Sequence, residues 1–258
     1  MIRNPQGIAV GEAGAGNRKD IRNAVEAAHA GSKWTGMTGH SKAQVLYYLA
    51  ENLQARSEEF KHKLMVMCDL SSKSALEEVQ LSIQRVFYYA AWADKYDGLV
   101  HSTIQRNVTL AMPEPIGTMG IIAPNDFPLL GFISTVIPAL AMGNRVVVVP
   151  SELSPLAATD FYQVMDTSDL PAGALNIVTG ASDDLAKVLA DHYDIDGIWY
   201  FGNTDISAHI EKAAADNMKR TWVNHGKIRD WRKEQQGFGE QFLREATQIK
   251  NIWIPYGA

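Results

Sequence analysis

The stretch Thr118 to Pro150, TMGIIAPNDFPLLGFISTVIPALAMGNRVVVVP, places two short apolar runs on either side of a long one. Met119–Ala123 and Arg145–Val149 are brief, β-branched and bounded by Pro, Gly or Asn, which predicts buried strands. Leu129–Met142 is too long for a strand and apolar on every side, which predicts a helix covered all round. A buried strand, a buried helix and a second strand of consecutive valines imply a βαβ unit and a parallel sheet.

The same alternation continues downstream. Strands are predicted at Ala174–Val178, Gly197–Phe201 and Arg220–Val223, with helices at Asp183–Ala190 and Thr204–Ala215 between them. Ser154–Pro155 is expected to cap another helix, with proline at its tolerated first position. Upstream, Asn17 is an N-cap candidate for a helix to Ala30, with Asp20 three residues on and Ile21, Ala24, Val25 and Ala28 at helical spacing. Ser41 to about Leu70 predicts one or two helices and Ser74–Lys95 a further one. Thr109–Ala111 predicts a strand leading into a Pro-rich bend at Pro113–Gly117. Gln248–Ile254 alternates in polarity as an edge or inter-subunit strand does. The fold class is therefore α/β: a doubly wound parallel sheet with N-terminal helices and a small separate β element.

Composition narrows the function classes. Of 258 residues 46% are hydrophobic and 21% charged, with a formal net charge of −5 and no cluster of Lys or Arg. This gives no electrostatic reason to expect nucleic acid or an anionic membrane as partner. A single cysteine, Cys68, excludes an intrachain disulfide and a thiolate metal cluster. It reads as an unactivated thiol that fills a core gap beside Met65 and Met67. MIRNPQGIAVGEAGAG lacks a basic segment followed by a long apolar run, and no stretch approaches the roughly 20 apolar residues of a membrane span. A cytoplasmic location is expected, and the Asn107–Val108–Thr109 sequon then has no use. Gly11 to Gly16 is glycine-rich before a helix but lacks the Lys-Ser/Thr pair of a phosphate loop, so a flexible leader is expected.

Several segments together resemble the aldehyde dehydrogenase superfamily. APNDFP is similar to its P-W-N-F-P turn, and VVVVPSE to its K-P-S-E strand end. Asp169–Gly180, DLPAGALNIVTG, resembles its P-x-G-x-x-N-x-V-x-G segment. YFGNTDISAHI stands where the superfamily has its F-T-G-S-T-x-x-G phosphate turn, and TWVNHGK where it has its T-L-E-L-G-G-K strand and turn. GFGEQFLREATQIKNIWIPYG resembles its closing run, a strand that joins subunits. The resemblance implies an NAD-binding-type α/β domain over residues 1–105 and 118–227, and bridging or oligomerisation strands over 106–117 and 238–258. A short linker, 228–237, replaces the whole catalytic domain. The likeness is nearest to the non-catalytic C-terminal half of the family-16 aldehyde dehydrogenases.

Against that pattern the chemistry is missing. Aldehyde oxidation of this kind needs a thiolate nucleophile and a base, and the segment that carries the thiol is absent. Val223 stands where the resemblance implies the general base, and valine moves no proton. Asp126 stands at the oxyanion-binding Asn, where a carboxylate repels developing charge, and is expected to bond its own turn instead. His225 reads as a surface residue. Val149 replaces a ribose-binding Lys. Glu152, Gly202 and Thr204 match positions that hold the cofactor, whereas Asn203 and Ser207 add side chains where pyrophosphate needs close backbone approach. No catalytic residue and no metal site is therefore expected. No cofactor is expected either, with NAD left as the one possible ligand. The expected activity is association: with itself as a homodimer, or with a catalytic aldehyde dehydrogenase domain or chain. Two alternatives stay open, an NAD(P)-binding module and one part of a dehydrogenase whose thiol comes from elsewhere.

Overall fold

Side chains of successive strand residues point to opposite faces, and here both sets are buried. In the computed structural model, which describes residues 1–256, Val146 and Val148 enter one core cluster while Val147 and Val149 enter another. Ile121 and Ile122 divide the same way, as do Trp199 on one side and Ile198 and Tyr200 on the other. Such two-faced burial is characteristic of a parallel sheet covered by helices.

The chain opens with a hairpin, β1 (Ile2–Arg3) and β2 (Ala9–Gly11). Helices α1 (Arg18–Ala30), α2 (Ser32–Gly36), α3 (Gly39–Ala55), α4 (Ser57–Cys68) and α5 (Ser72–Trp92) follow, then strands β3 (Leu99–His101) and β4 (Asn107–Pro115). The alternating part runs β5 (Thr118–Ile122), α6 (Leu130–Ala141), β6 (Arg145–Val149), α7 (Leu156–Asp166) and β7 (Leu175–Ile177). It continues through α8 (Ser182–Asp191), β8 (Gly197–Tyr200), α9 (Thr204–Ala214) and β9 (Arg220–Val223). Two short helices, α10 (Glu234–Gly237) and α11 (Glu240–Glu245), lead into β10 (Thr247–Pro255). Among the described residues no helix is long and apolar enough to cross a membrane.

The main sheet has the order β7-β6-β5-β8-β9 and every neighbouring pair is parallel. This is the doubly wound α/β sheet that the sequence predicts. Strand order reverses between β5 and β8, so the crevice beyond their C-terminal ends is where such a sheet takes ligands. Residues of α1, α8 and α9 cover one face, and residues of α3 to α7 the other.

Capping explains where several helices begin. Asn17 and Asp20 form the reciprocal box that starts α1. α6 has no capping side chain of its own. Glu78 of α5, only 3% exposed, supplies it: Oε1 accepts the N–H of Leu129 at 3.0 Å and of Leu130 at 3.2 Å. Burial pushes this carboxyl's pKa up, and those two donors oppose the shift.

Three local expectations are corrected. The Pro-rich bend is absent: β4 runs unbroken through Pro113 and Pro115, each in register with β10. Both prolines lie beyond Ala111, the last residue facing β3, so on that side the ladder asks for no donor. Ser154 does not cap α7; its own N–H is accepted by Ser151 Oγ at 3.1 Å. Gly11 to Gly16 is not a loose leader. Gly16 donates to the Thr179 carbonyl at 2.6 Å, and a Cβ there would sit 2.6 Å from the same oxygen. Glycine is what lets the two backbones meet.

The bridge from β9 to β10 is folded into the core. Trp231 is 2% exposed, with its ring edge-on to Phe201 at a centroid distance of 5.3 Å. Arg85 of α5, also buried, reaches across to it: Nη1 donates to the Gly237 carbonyl at 2.7 Å, and further bonds go to the Trp231 carbonyl and Ser134 Oγ. Its guanidinium lies 4.8 Å from the Phe238 ring centre. Desolvation lowers its pKa to about 10, so it stays charged at neutral pH. A Cβ on Gly237 would come 2.0 Å from the Trp231 carbonyl oxygen, so only glycine fits under this clasp. Arg229 adds a second guanidinium, 4.9 Å from the Phe201 ring centre and 5.2 Å from that of Trp222.

β10 then pairs antiparallel with β4 along its whole length, and β3 joins the far side of β4 as a third strand. Gly257 and Ala258, the end of the 238–258 segment, lie outside the described residues.

Truncating Trp231 to Ala is expected to lower the unfolding free energy by about 3–5 kcal/mol, the usual cost of removing a buried aromatic side chain. The exposed Trp253→Ala is expected to stay within about 0.5 kcal/mol. Urea denaturation of the two variants side by side checks the difference.

Candidate functional site

The crevice at the strand-order reversal is a cleft of about 390 Å³. Pro124, Asn125 and Asp126 line it from the end of β5, Phe201 and Gly202 from the end of β8, and Arg229 from the bridge. Asn125 is tied down: its Oδ1 accepts from Ser151 Oγ and from the Glu152 N–H, both at 3.0 Å. Those bonds clamp the turn after β5 to the turn after β6. Asp126 was expected to bond its own turn. Its side chain makes no hydrogen bond among the described residues, and the neighbouring Asn125 instead ties this turn to the next one. Phe127 follows with φ of 54°, a left-handed conformation uncommon for an aromatic residue, and Arg232 lies over its ring at 5.1 Å.

Glu152, Gly202 and Thr204 surround the ends of α8 and α9. Glu152 Oε2 accepts the Ser182 N–H at 2.9 Å and so caps α8. Gly202 has the Tyr200 hydroxyl directly against it, 2.3 Å from where a Cβ would be. That phenol donates to Asp183 Oδ1 at 2.8 Å and accepts the Asn203 N–H at 3.1 Å. Burial and the adjacent Asp183 carboxylate hold its pKa well above the ordinary tyrosine range. Asn203 Nδ2 donates to the other oxygen of Asp183 at 2.8 Å, and Asn203 Oδ1 caps α9 by accepting from the Ile206 N–H at 2.9 Å. Thr204 Oγ1 donates to the His225 carbonyl at 3.1 Å, and Ser207 Oγ to the Asn203 carbonyl at 2.8 Å.

An anion at a helix N-terminus needs free N–H groups. Glu152 takes one such group of α8 and Asn203 one of α9, while Tyr200 and Asp183 occupy the space beside Gly202. Asp183 and Asp184 in the first turn of α8 and Asp205 in that of α9 add like charge.

The ionisable residues lining the cleft are Asp126, Lys227 and Arg229. Val223 is half-buried at the end of β9, and His225, exposed with φ of 50°, pairs with Glu211 at 3.2 Å. Among the described residues no group of three or more His, Cys, Asp or Glu is arranged for a metal ion. Cys68 is only half-buried, not sealed in the core as expected. Its thiol donates to Ser154 Oγ at 3.5 Å, and desolvation raises its pKa, helped by the Glu78 charge. It faces a second hollow on the other side of the Asn125–Phe127 turn.

Three residues matter here that the sequence reading passed over: Glu78, Arg85 and Tyr200. For the first two a signal existed. Glu78, Ser82 and Arg85 follow helical spacing along the buried side of α5, and charges on an apolar stripe need partners. Tyr200 carried none, because its contact with Asp183 depends on how two loops meet.

The profile of the aldehyde dehydrogenase family matches residues 2–227. The chain is 33% identical over 222 residues to an aldehyde dehydrogenase of Agaricus bisporus, covering 80% of this chain and 42% of that protein. It is 31% identical to aldehyde dehydrogenase 1A1 of Gallus gallus, covering 95% and 48%. Among solved structures it resembles PnpE in complex with nicotinamide adenine dinucleotide, with TM-score 0.83 and 27% identity over 87% of this chain and 47% of that one. The chain thus spans less than half the length of these relatives. With a parallel sheet of the same architecture and matching sequence over most of its length, it belongs to the aldehyde dehydrogenase family.

Proposed function

We propose that this chain is a non-catalytic member of its family, acting by association as the C-terminal half of the family-16 enzymes does. What carries the reading is the bridge: residues 228–237 stand in place of a catalytic domain and are built into the core by Trp231, Arg85 and Gly237. A severed domain boundary has no reason to bury a tryptophan. The cleft beside it is lined by no Cys, His or Glu among the described residues, and Glu152 and Asn203 each cap one of the helix ends next to it.

The association surface is the three-stranded sheet. Paired residues of neighbouring strands share a face, so Ile254 lies beside Val108, and Ile252 beside Leu110 and Val100. Met112 extends this apolar strip, whose only charges are the Lys250–Glu114 pair at 3.0 Å. The outer edge of β10 pairs with no strand among the described residues. An open edge next to an apolar strip favours a partner. That partner is a second copy of the chain or a catalytic aldehyde dehydrogenase polypeptide.

Purified chain is expected to give no aldehyde-dependent reduction of NAD or NADP across a panel of aliphatic and aromatic aldehydes; turnover would overturn the reading. In calorimetric titration, millimolar NAD is expected to release no binding heat. Saturable binding would instead favour a nucleotide module built on Glu152, Gly202 and Thr204. In sedimentation velocity, alone and mixed with a catalytic dehydrogenase, an assembly is expected that Ile252→Lys with Ile254→Lys dissociates. A chain that stays monomeric in both mixtures contradicts the association role.

A further inference from the structure

We propose that the hollow between α4, α5 and the Asn125–Phe127 turn is a binding site for a small primary amine in its protonated form, with Glu78 as the anionic partner. The cavity is about 640 Å³, within the range of small-molecule sites. Met67, Leu70, Phe127, Pro128 and Leu153 make its walls largely apolar. The β1–β2 hairpin closes one side with Arg3, Asn4 and Pro5 and is itself held by Asn4 Nδ2 donating to the Val66 carbonyl at 3.4 Å.

Glu78 gives the hollow its polarity. The side chain is almost wholly withdrawn from solvent yet lines the cavity. Oε1 is engaged by Leu129 and Leu130, while Oε2 has no hydrogen-bond partner among the described residues. As a lining group of the cavity with one oxygen unpartnered, the carboxylate can accept a charge-assisted hydrogen bond from a ligand N–H. Asp126 contributes a second carboxylate to the lining. Arg3 is the one cation there among the described residues, and its Nη1 donates to the Gly7 carbonyl at 2.6 Å. With two carboxyl groups against one guanidinium, the lining favours an ammonium group over a carboxylate. The apolar walls suit a short alkyl chain. It lies across the Asn125–Phe127 turn from the strand-reversal cleft, and the two share Asn125 and Asp126 as lining residues.

Cys68 lines the same cavity and is the only cysteine in the chain, so its reactivity reports occupancy. The test is the rate at which methyl methanethiosulfonate modifies Cys68 at neutral pH in the presence of n-butylammonium, n-butanol or butyrate. Saturable slowing by millimolar butylammonium is expected, at about tenfold lower concentration than any effect of butanol, with none from butyrate. No slowing by butylammonium, or equal slowing by butyrate, overturns the proposal without recourse to any variant. Glu78→Gln keeps an acceptor for the Leu129 and Leu130 N–H groups and is expected to abolish the preference for the amine over the alcohol. A folded Glu78→Gln protein that keeps the preference would remove Glu78 from the site.

Discussion

A guanidinium withdrawn from water needs acceptors, and the way Arg85 finds them organises the C-terminal third of the chain. Three of its neighbours are acceptors from separate parts of the fold: Ser134 on α6 and the carbonyls of Trp231 and Gly237 on the bridge. None of these can move away without leaving a buried charge short of a partner, a loss of several kcal/mol. With the bridge so fixed, Phe242 and Leu243 of α11 are delivered to the same core. Asn144 Nδ2 then holds the Ala246 carbonyl at 2.8 Å, and β10 leaves from that point along β4. The second sheet thus depends on a charge buried under the first.

The strand-reversal cleft is closed by ties of the same kind on a smaller scale. Gly226 donates to the Gly202 carbonyl at 2.7 Å, and Thr204 holds the His225 carbonyl, so the loops after β8 and β9 are fastened to each other. Tyr200, Asp183 and Asn203 fasten the first of these loops to α8. Moving these loops apart means breaking both sets at once and uncapping a helix. Each bond is individually modest, near 1 kcal/mol, but they share residues and are lost together. The loops at the crevice of this nucleotide-binding-type sheet are thus held largely by one another.

How much of this was legible in the sequence follows from what kind of interaction fixed each part. The parallel sheet was legible because both-face burial writes itself as consecutive valines, and α1 because Asn17 and Asp20 are a local signal. Strand β10 was legible as an edge strand from its alternation. The course of β4 was misread since proline is a turn signal in most contexts, and only the end of β3 at Leu99, opposite Ala111, makes it harmless. Glycines 11 to 16 were misread for a related reason: their role is set by Thr179, far along the chain. The clasp on the bridge was not legible, because Arg85, Trp231 and Gly237 meet across separations that no local pattern encodes.

The outer sheet then presents an imbalance that its own chain does not resolve. β10 is anchored only at its start, where Thr247 is buried; from Gln248 onward its residues are exposed or half-buried. At about 3.4 Å per residue a strand of this length extends roughly 30 Å. Three strands are stable when one face packs against something, yet Val100, Met112 and Ile254 lie uncovered on the same face. Substituting polar residues there would cost nothing in the isolated chain, where these side chains already meet water. An apolar strip of this kind is what the proposed association would cover, and the attachment through Arg85 and Asn144 holds it in a fixed place relative to the main sheet.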